Sequence, residues 1–241
     1  RIARDVYDPV WRLALKGLHA HRRNIDLTIK SVDGEVWTRP GSDDSAAVYS
    51  TARMGNATFE AFVNGATDRP APNTRGGWMD AGDFDSNHNH HWVSLLLLDL
   101  IDRHPEALKA DDVGITDSGN GVPDLLDEGL WMIDSYIAMQ NKDGSVTSGI
   151  EYSQHPNVGE PSHLNTLPVY QLAPSPRSNY LYAASAARAS RIVAAGGYRT
   201  NHSSTEYLES AAGAFRWAED NRNDPEPDSK AKTEAARLLA S

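Results

Sequence analysis

The feature that most constrains the fold is a series of apolar stripes at helical spacing, separated by long connections rich in proline, glycine and asparagine. Leu126, Leu130, Ile133 and Ile137 recur at i, i+4, i+7 and i+11. They mark one continuous face of a helix expected over about Pro123 to Gln140. Trp11, Leu15 and Leu18 mark a first helix, opened by Asp8 as N-cap and Pro9 at the first helical position. A second is expected from about Ser86 to Arg103. Three more follow. One runs from Ser178 to about Ala195 and stops at Gly196-Gly197. The next is opened by a Ser203/Glu206 capping box, runs to about Asn221, and carries Tyr207, Ala211, Phe215 and Ala218 on one face. The last runs from Asp228 to Ala240, with Ala231, Ala235 and Leu238 expected inward. There is no βαβ alternation and no repeat of roughly 20–50 residues. Six helices without a convincing sheet pattern make the expected class all-α.

At 241 residues the chain can bury a substantial core, as one domain or part of a larger one. Its net charge of −10 argues against nucleic acid or an anionic membrane surface as partner and suits a neutral substrate. Cysteine is absent, so neither a disulfide nor a thiolate metal site can form. The longest apolar run, Val93 to Leu98, is broken by Asp99, far short of the roughly 18 residues a membrane span needs.

Two long connections, Ile25 to Asp85 and Lys142 to Ser178, are where function is expected. The first holds Asp33-Gly34 as a turn between the extended pieces LTIK and EVW, and it ends in RGGWMDAGDFD, Arg75 to Asp85. There Asp80 and Asp83 stand three residues apart on a loop made pliable by Gly76, Gly77 and Gly82. Carboxylates so close cannot both ionise without mutual cost, so one is expected to be held by hydrogen bonds while the other meets substrate. Positioning and deprotonating a water is what glycosidic hydrolysis asks of such a pair. The same residues would also serve as acidic caps on a solvated loop. His88 and His91 share a face at i, i+3, which permits a metal; lining a cleft or bonding to neighbours is the expectation, with Trp92 beside them. Tyr152, His155, His163 and Tyr170 on the second connection suit either sugar stacking or pinning of the loop. The basic cluster His21 to Asn24 is expected in a helix's last turn, complementing the dipole. Asp124, Asp127 and Glu128 favour the dipole of the next helix; a structural calcium ion is possible there.

WMDAGDFD resembles the DAGD signature of glycoside hydrolase family 9, the cellulase-type inverting glycosidases. The resemblance continues in SGNGVPDLLDEGLWMIDSYIAMQNKDGSV, Ser118 to Val146, and more weakly in WTRPGSDD and YLYAASAARASRI. The blocks come in the family's order over about Asp8 to Ala240. The resemblance implies an (α/α)6 toroid of twelve helices, of which six, about half, fall in residues 1–241, the N-terminal part of a catalytic domain. It implies hydrolysis of β-1,4-linked glycans by inversion, with cellulose or β-glucan oligosaccharides first among substrates and no cofactor required. Asp83 would be the general base and Asp80 would assist it. Trp78, Asp85, His88, Trp92, Ser148, Tyr152 and His155 are the expected substrate-binding residues. The general acid would be a glutamate outside this chain, and an immunoglobulin-like module often precedes such a domain. A secreted or periplasmic enzyme is expected.

Two departures bear on substrate and metal. Relatives often carry a cleft histidine in the block after the third helix; DGSVTS puts Ser148 there, which points away from cellulose in particular. WTRPGSDD puts Gly41, Ser42 and Asp43 where some relatives bind zinc, so that site is expected to be absent. The alternatives are an exo-acting β-glycosidase on chito- or glucosamine-oligosaccharides, a non-catalytic carbohydrate-binding toroid, and a metal-dependent enzyme built on His88 and His91.

Overall fold

The computed structural model describes residues 6–55, 58–71, 73–80, 83–106, 108–224 and 230–241. Ala81 and Gly82, in the middle of the DAGD loop, and Asp228, the expected start of the last helix, lie outside them. Seven α-helices occur among the described residues: α1 (Asp8–His19), α2 (Phe59–Asn64), α3 (His91–Arg103), α4 (Asp124–Met139), α5 (Pro176–Gly196), α6 (Ser204–Asp220) and α7 (Lys230–Ala240). None is long and apolar enough to cross a membrane.

Local chemistry accounts for the starts of α5 and α6 and for the end of α5. Ser203 and Glu206 form the expected reciprocal capping box, and Ser175 with Ser178 forms another at the start of α5. Gly197 closes α5 in the left-handed conformation, φ 62°. The first helix starts one residue earlier than expected. Tyr7 holds the cap position, and the Asp8 carboxylate instead accepts from Trp11 Nε1 at 3.0 Å and Arg12 Nε at 2.9 Å.

The all-α expectation needs correction. Strands β1 (Leu27–Lys30) and β2 (Val36–Arg39) form the hairpin around Asp33-Gly34, with Ile29 opposite Trp37. A second sheet has five short strands: β3 (Val48–Ser50), β4 (Ala66–Pro70), β5 (Ser86–Asn87), β6 (Gly149–Tyr152) and β7 (Val169–Gln171), in the order β4-β3-β7-β6-β5. β3 and β4 come from the first long connection and β6 and β7 from the second, while β5 takes Ser86–Asn87, the expected start of the second helix; that helix, α3, begins at His91. Backbone groups of a connection packed onto the domain must find partners, and a few residues from each segment supply them to one another. Runs of two to five residues leave too little periodicity for a sequence pattern to reveal.

The core lies between the helices and this sheet. Leu126, Leu130 and Ile133 of α4 are buried with Leu98 and Ile101 of α3, Tyr182 and Ile192 of α5, and Tyr207 and Ala211 of α6. The last helix is rotated from expectation. Thr233 and Ala236 are its buried residues, whereas Leu238 is 72% exposed. Ala236 and Ala240 pack with Tyr180, Leu181 and Ala218, where the bulk already belongs to α5 and only small side chains fit.

Candidate active site

The segment from Asn73 to Asp80 is laid along α4 and fixed there by named bonds. Asn73 Nδ2 donates to the Ala138 carbonyl at 3.0 Å, Trp131 Nε1 to the Gly77 carbonyl at 2.7 Å, and Trp78 Nε1 to Glu128 Oε1 at 2.6 Å. Gly76 is required by this approach: φ is 113°, and a Cβ would stand 2.2 Å from the Ser135 Cβ. From the other side the chain after α1 pairs with the segment. Arg23 N donates to the Gly77 carbonyl at 3.0 Å and Met79 N to the His21 carbonyl at 2.8 Å.

The basic cluster His21 to Asn24 therefore does something other than complete a helix. Helix α1 ends at His19, and Arg22 and Arg23 are 2% and 1% exposed. The Arg23 guanidinium donates to the carbonyls of Thr74 (3.1 Å), Gly76 (3.2 Å) and Phe84, to Asp44 Oδ2 (3.0 Å) and to the Tyr152 hydroxyl (3.2 Å). It thus grips the backbone on both sides of the DAGD loop. Arg22 Nε donates to Glu128 Oε2 at 3.1 Å, the oxygen that also faces His19 Nδ1 at 2.9 Å. Glu128, expected as a helix-end charge, is the buried hub beneath the segment.

On this base Asp80 and Asp83 form a turn, with Asp83 N donating to the Asp80 carbonyl at 2.7 Å. Both carboxylates face solvent in part, Asp80 at 53% and Asp83 at 30% side-chain exposure. Asp80 Oδ2 accepts from Asn87 Nδ2 at 3.1 Å and lies 3.9 Å from His90 Nε2. Asp83 Oδ1 lies 2.8 Å from Nδ1 of His155, whose ring stands edge-on to Phe59. Burial lowers the His90 pKa against the pull of Asp80. Burial and the Asp80 carboxylate push Asp85 up to about 7 against the pull of Arg23, and burial and Asp85 push Glu151 up to about 8. The arrangement presents two accessible carboxylates, Asp83 facing an imidazole at 2.8 Å and Asp80 three residues before it. Two such groups can hold and deprotonate a water.

The profile of Glycosyl hydrolase family 9 matches residues 38–237. The chain belongs to glycosyl hydrolase family 9. A cellulose 1,4-β-cellobiosidase of Acetivibrio thermocellus is 24% identical over 212 residues, covering 79% of this chain and 23% of the relative. Among solved structures, a Bacteroides ovatus GH9 protein matches with a TM-score of 0.73 and 23% identity, over 90% of this chain and 38% of that one. A metagenome-derived family 9 endoglucanase gives 0.74 and 23%, over 98% and 42%. Endoglucanase J30 gives 0.75 and 21%, over 100% and 45%. At these identities the likeness shows a shared fold, and the chain spans less than half the length of each of these four relatives.

The expected substrate-binding residues of this family 9 chain divide sharply. His155 is exposed on Asp83, and Asp85 borders the pair while only 6% exposed. Trp92 is 40% exposed on α3. Trp78, His88, Ser148 and Tyr152 are buried at 3% or less, committed to the protein itself. His88 Nδ1 donates to the Ser148 carbonyl at 3.0 Å, which leaves Nε2 to accept from Arg177 at 3.0 Å. Ser148 Oγ accepts from Met54 N at 2.9 Å, and the Tyr152 hydroxyl donates to Asp44 Oδ1 at 3.2 Å. These four shape the floor and do not face the site. His91 is also core, edge-on to Tyr136 and Tyr182, with burial holding its pKa well below the ordinary value.

No group of three or more His, Asp or Glu among the described residues is placed to hold a metal ion. Of the carboxylates considered for calcium, Asp124 Oδ2 accepts from Val113 N and Ser118 Oγ, Asp127 Oδ2 from Asn120 Nδ2, and Glu128 from Trp78 and Arg22. In WTRPGSDD, Gly41 N donates to Asp26 and Asp43 Oδ1 caps Ser45 N at 2.9 Å. Sequence reasoning missed Arg23 and Asn87 and gave Glu151 no role.

Proposed function

We propose that the protein hydrolyses β-1,4-linked glycans with inversion, Asp83 acting as general base on a water that Asp80 helps to orient. The observation that carries this reading is the Asp80–Asp83 turn itself. Both carboxylates are reachable, one is oriented by His155 at 2.8 Å, and the loop is gripped from below by the buried Arg23. A loop serving only as a solvated cap would need none of that support. Family membership and the cellulose-acting relative support a β-glucan chain as substrate. In this reading the helices belong to an (α/α)6 toroid, and the proton donor to the leaving oxygen is a glutamate elsewhere in the domain. Inversion requires it about 6.5–9.5 Å from the base, leaving room for the water.

The test is product stereochemistry. Soluble β-1,4-gluco-oligosaccharides are incubated with the protein in its complete family 9 domain, and the new reducing end is followed by proton NMR. The α-anomer appearing first supports the reading. The β-anomer appearing first, or no cleavage of β-glucan and chito-oligosaccharides alike, overturns it.

A further inference from the structure

Glu151 lies beside Asp83 and has no role so far. On β6 and β5, Ile150 pairs with Ser86 and Gly149 with Asn87; continued one residue beyond the start of β5, that antiparallel register brings Glu151 opposite Asp85, which lies within electrostatic reach of it. Directly opposed residues point to one face of a sheet. Ile150 and Tyr152, on either side of Glu151, point to the other face and join the main core. Glu151 Oε1 accepts from Tyr152 N at 3.0 Å, while Oε2 takes no donor from the described residues and is not closed off from solvent. Asp85 is buried, and its Oδ1 has no partner among the described residues. The charged and titratable groups facing this pair are Asp80 and Asp83 from the DAGD loop, Arg23 from the segment after α1, and His155 on Asp83. Tyr170 of β7 pairs with Glu151. Arg23 is already committed to Asp44 and three carbonyls.

Two neighbouring carboxyl groups, one buried and both short of donors among the described residues, cannot both be ionised beside a third without cost. We propose that Glu151 stands at the wall of the Asp83 site as a neutral carboxylic acid, kept protonated by its burial and by Asp85 beside it, and donates its O–H to a hydroxyl of the bound glycan. The inference rests on the glycan reading above and narrows it. A carboxyl held neutral is a hydrogen-bond donor, the use an apolar site makes of a protonated aspartate. It suits an uncharged sugar ring. A glucosamine ring brings an ammonium group, whose positive charge would favour loss of the proton to solvent and the carboxylate form. The direction of the shift on Glu151, upward to about 8 from burial and then Asp85, agrees with this state at neutral pH.

Two measurements test it. In protein labelled with carbon-13 at its carboxyl groups, the Glu151 resonance is expected to titrate near or above pH 7, and markedly lower in Asp85→Asn. A Glu151 resonance fully ionised by pH 5 overturns the proposal. Steady-state hydrolysis of cellotetraose then tests the donor role. The wild-type KM is expected to rise between pH 6 and pH 9 by up to about tenfold, the worth of one hydrogen bond. Glu151→Ala should carry that loss already at pH 6. Glu151→Gln, a neutral donor at every pH, should lose less than Glu151→Ala at pH 6 and nothing further at pH 9. A Gln variant as weak as Ala, or one sharing the wild-type rise, overturns the donor role. If the wild type cleaves no glycan, the hydrolase reading fails, while the carboxyl titration still decides whether Glu151 is neutral.

Discussion

Two groups of buried charge lie against the segment that carries Trp78 and Asp80, and they follow opposite rules. Beneath it, Glu128 is fully buried and its two oxygens meet Trp78 Nε1 at 2.6 Å, His19 Nδ1 at 2.9 Å and Arg22 Nε at 3.1 Å. Burial alone would raise its pKa, but Arg22 and the two further donors bring it below the ordinary value. Beside the segment's exposed end, Asp85 keeps an oxygen without a partner among the described residues, Glu151 lies within electrostatic reach of it, and both pKa values rise. A carboxylate given three donors is architecture. Carboxyl groups denied them beside an accessible aspartate are characteristic of sites where charge must change.

The largest effect is expected from breaking the satisfied group. Glu128→Ala leaves Arg22 buried with a lost partner and should cost about 3–5 kcal/mol in urea unfolding. A loss below about 1 kcal/mol would mean that the hub does not support the segment.

The unsatisfied group predicts a pH dependence of opposite origin. Asp85 and Glu151 bind protons more tightly folded than unfolded. Their contribution is therefore most favourable below the ordinary carboxylate range near pH 4 and is lost as pH rises through about 7 to 8. Asp85→Asn should flatten the fall in melting temperature between pH 5 and pH 8, measured by calorimetry at about 1-unit steps. An unchanged slope would put the proton elsewhere.

The smallest effect sharpens the boundary between the groups. His155 is exposed and touches Asp83 alone among the described ionisable groups, so His155→Ala should lower hydrolysis by about tenfold, roughly 1.4 kcal/mol, with no change in unfolding. A variant that unfolds more easily but cleaves as well as the wild type would make His155 a loop anchor.

What sequence showed follows the same division. The capping box of α6 and the stripe Tyr207, Ala211 and Ala218 were legible because helix chemistry is local, spanning three or four residues. The DAGD pair was legible because both aspartates sit in one short motif. Arg23 was not, since its acceptors come from residues 44, 74, 76, 84 and 152 and its sequence neighbours suggest a helix end. Glu151 was not, because its meaning depends on a strand register set by Ser86 and Ile150. The α7 face was misread because Ala-rich helices carry little pattern, and the depth of Tyr180 and Leu181 decides which alanines face inward.

The central claim is that the accessible turn works and the buried hub only holds it. Asp83→Asn, in the complete family 9 domain, tests this most directly, with β-1,4-gluco-oligosaccharide hydrolysis and urea unfolding measured on the same preparation. The expected rate is lower by about 10²–10⁴, with an unfolding free energy within about 0.5 kcal/mol of wild type. Hydrolysis retained within about tenfold, or lost only together with the fold, would contradict the claim.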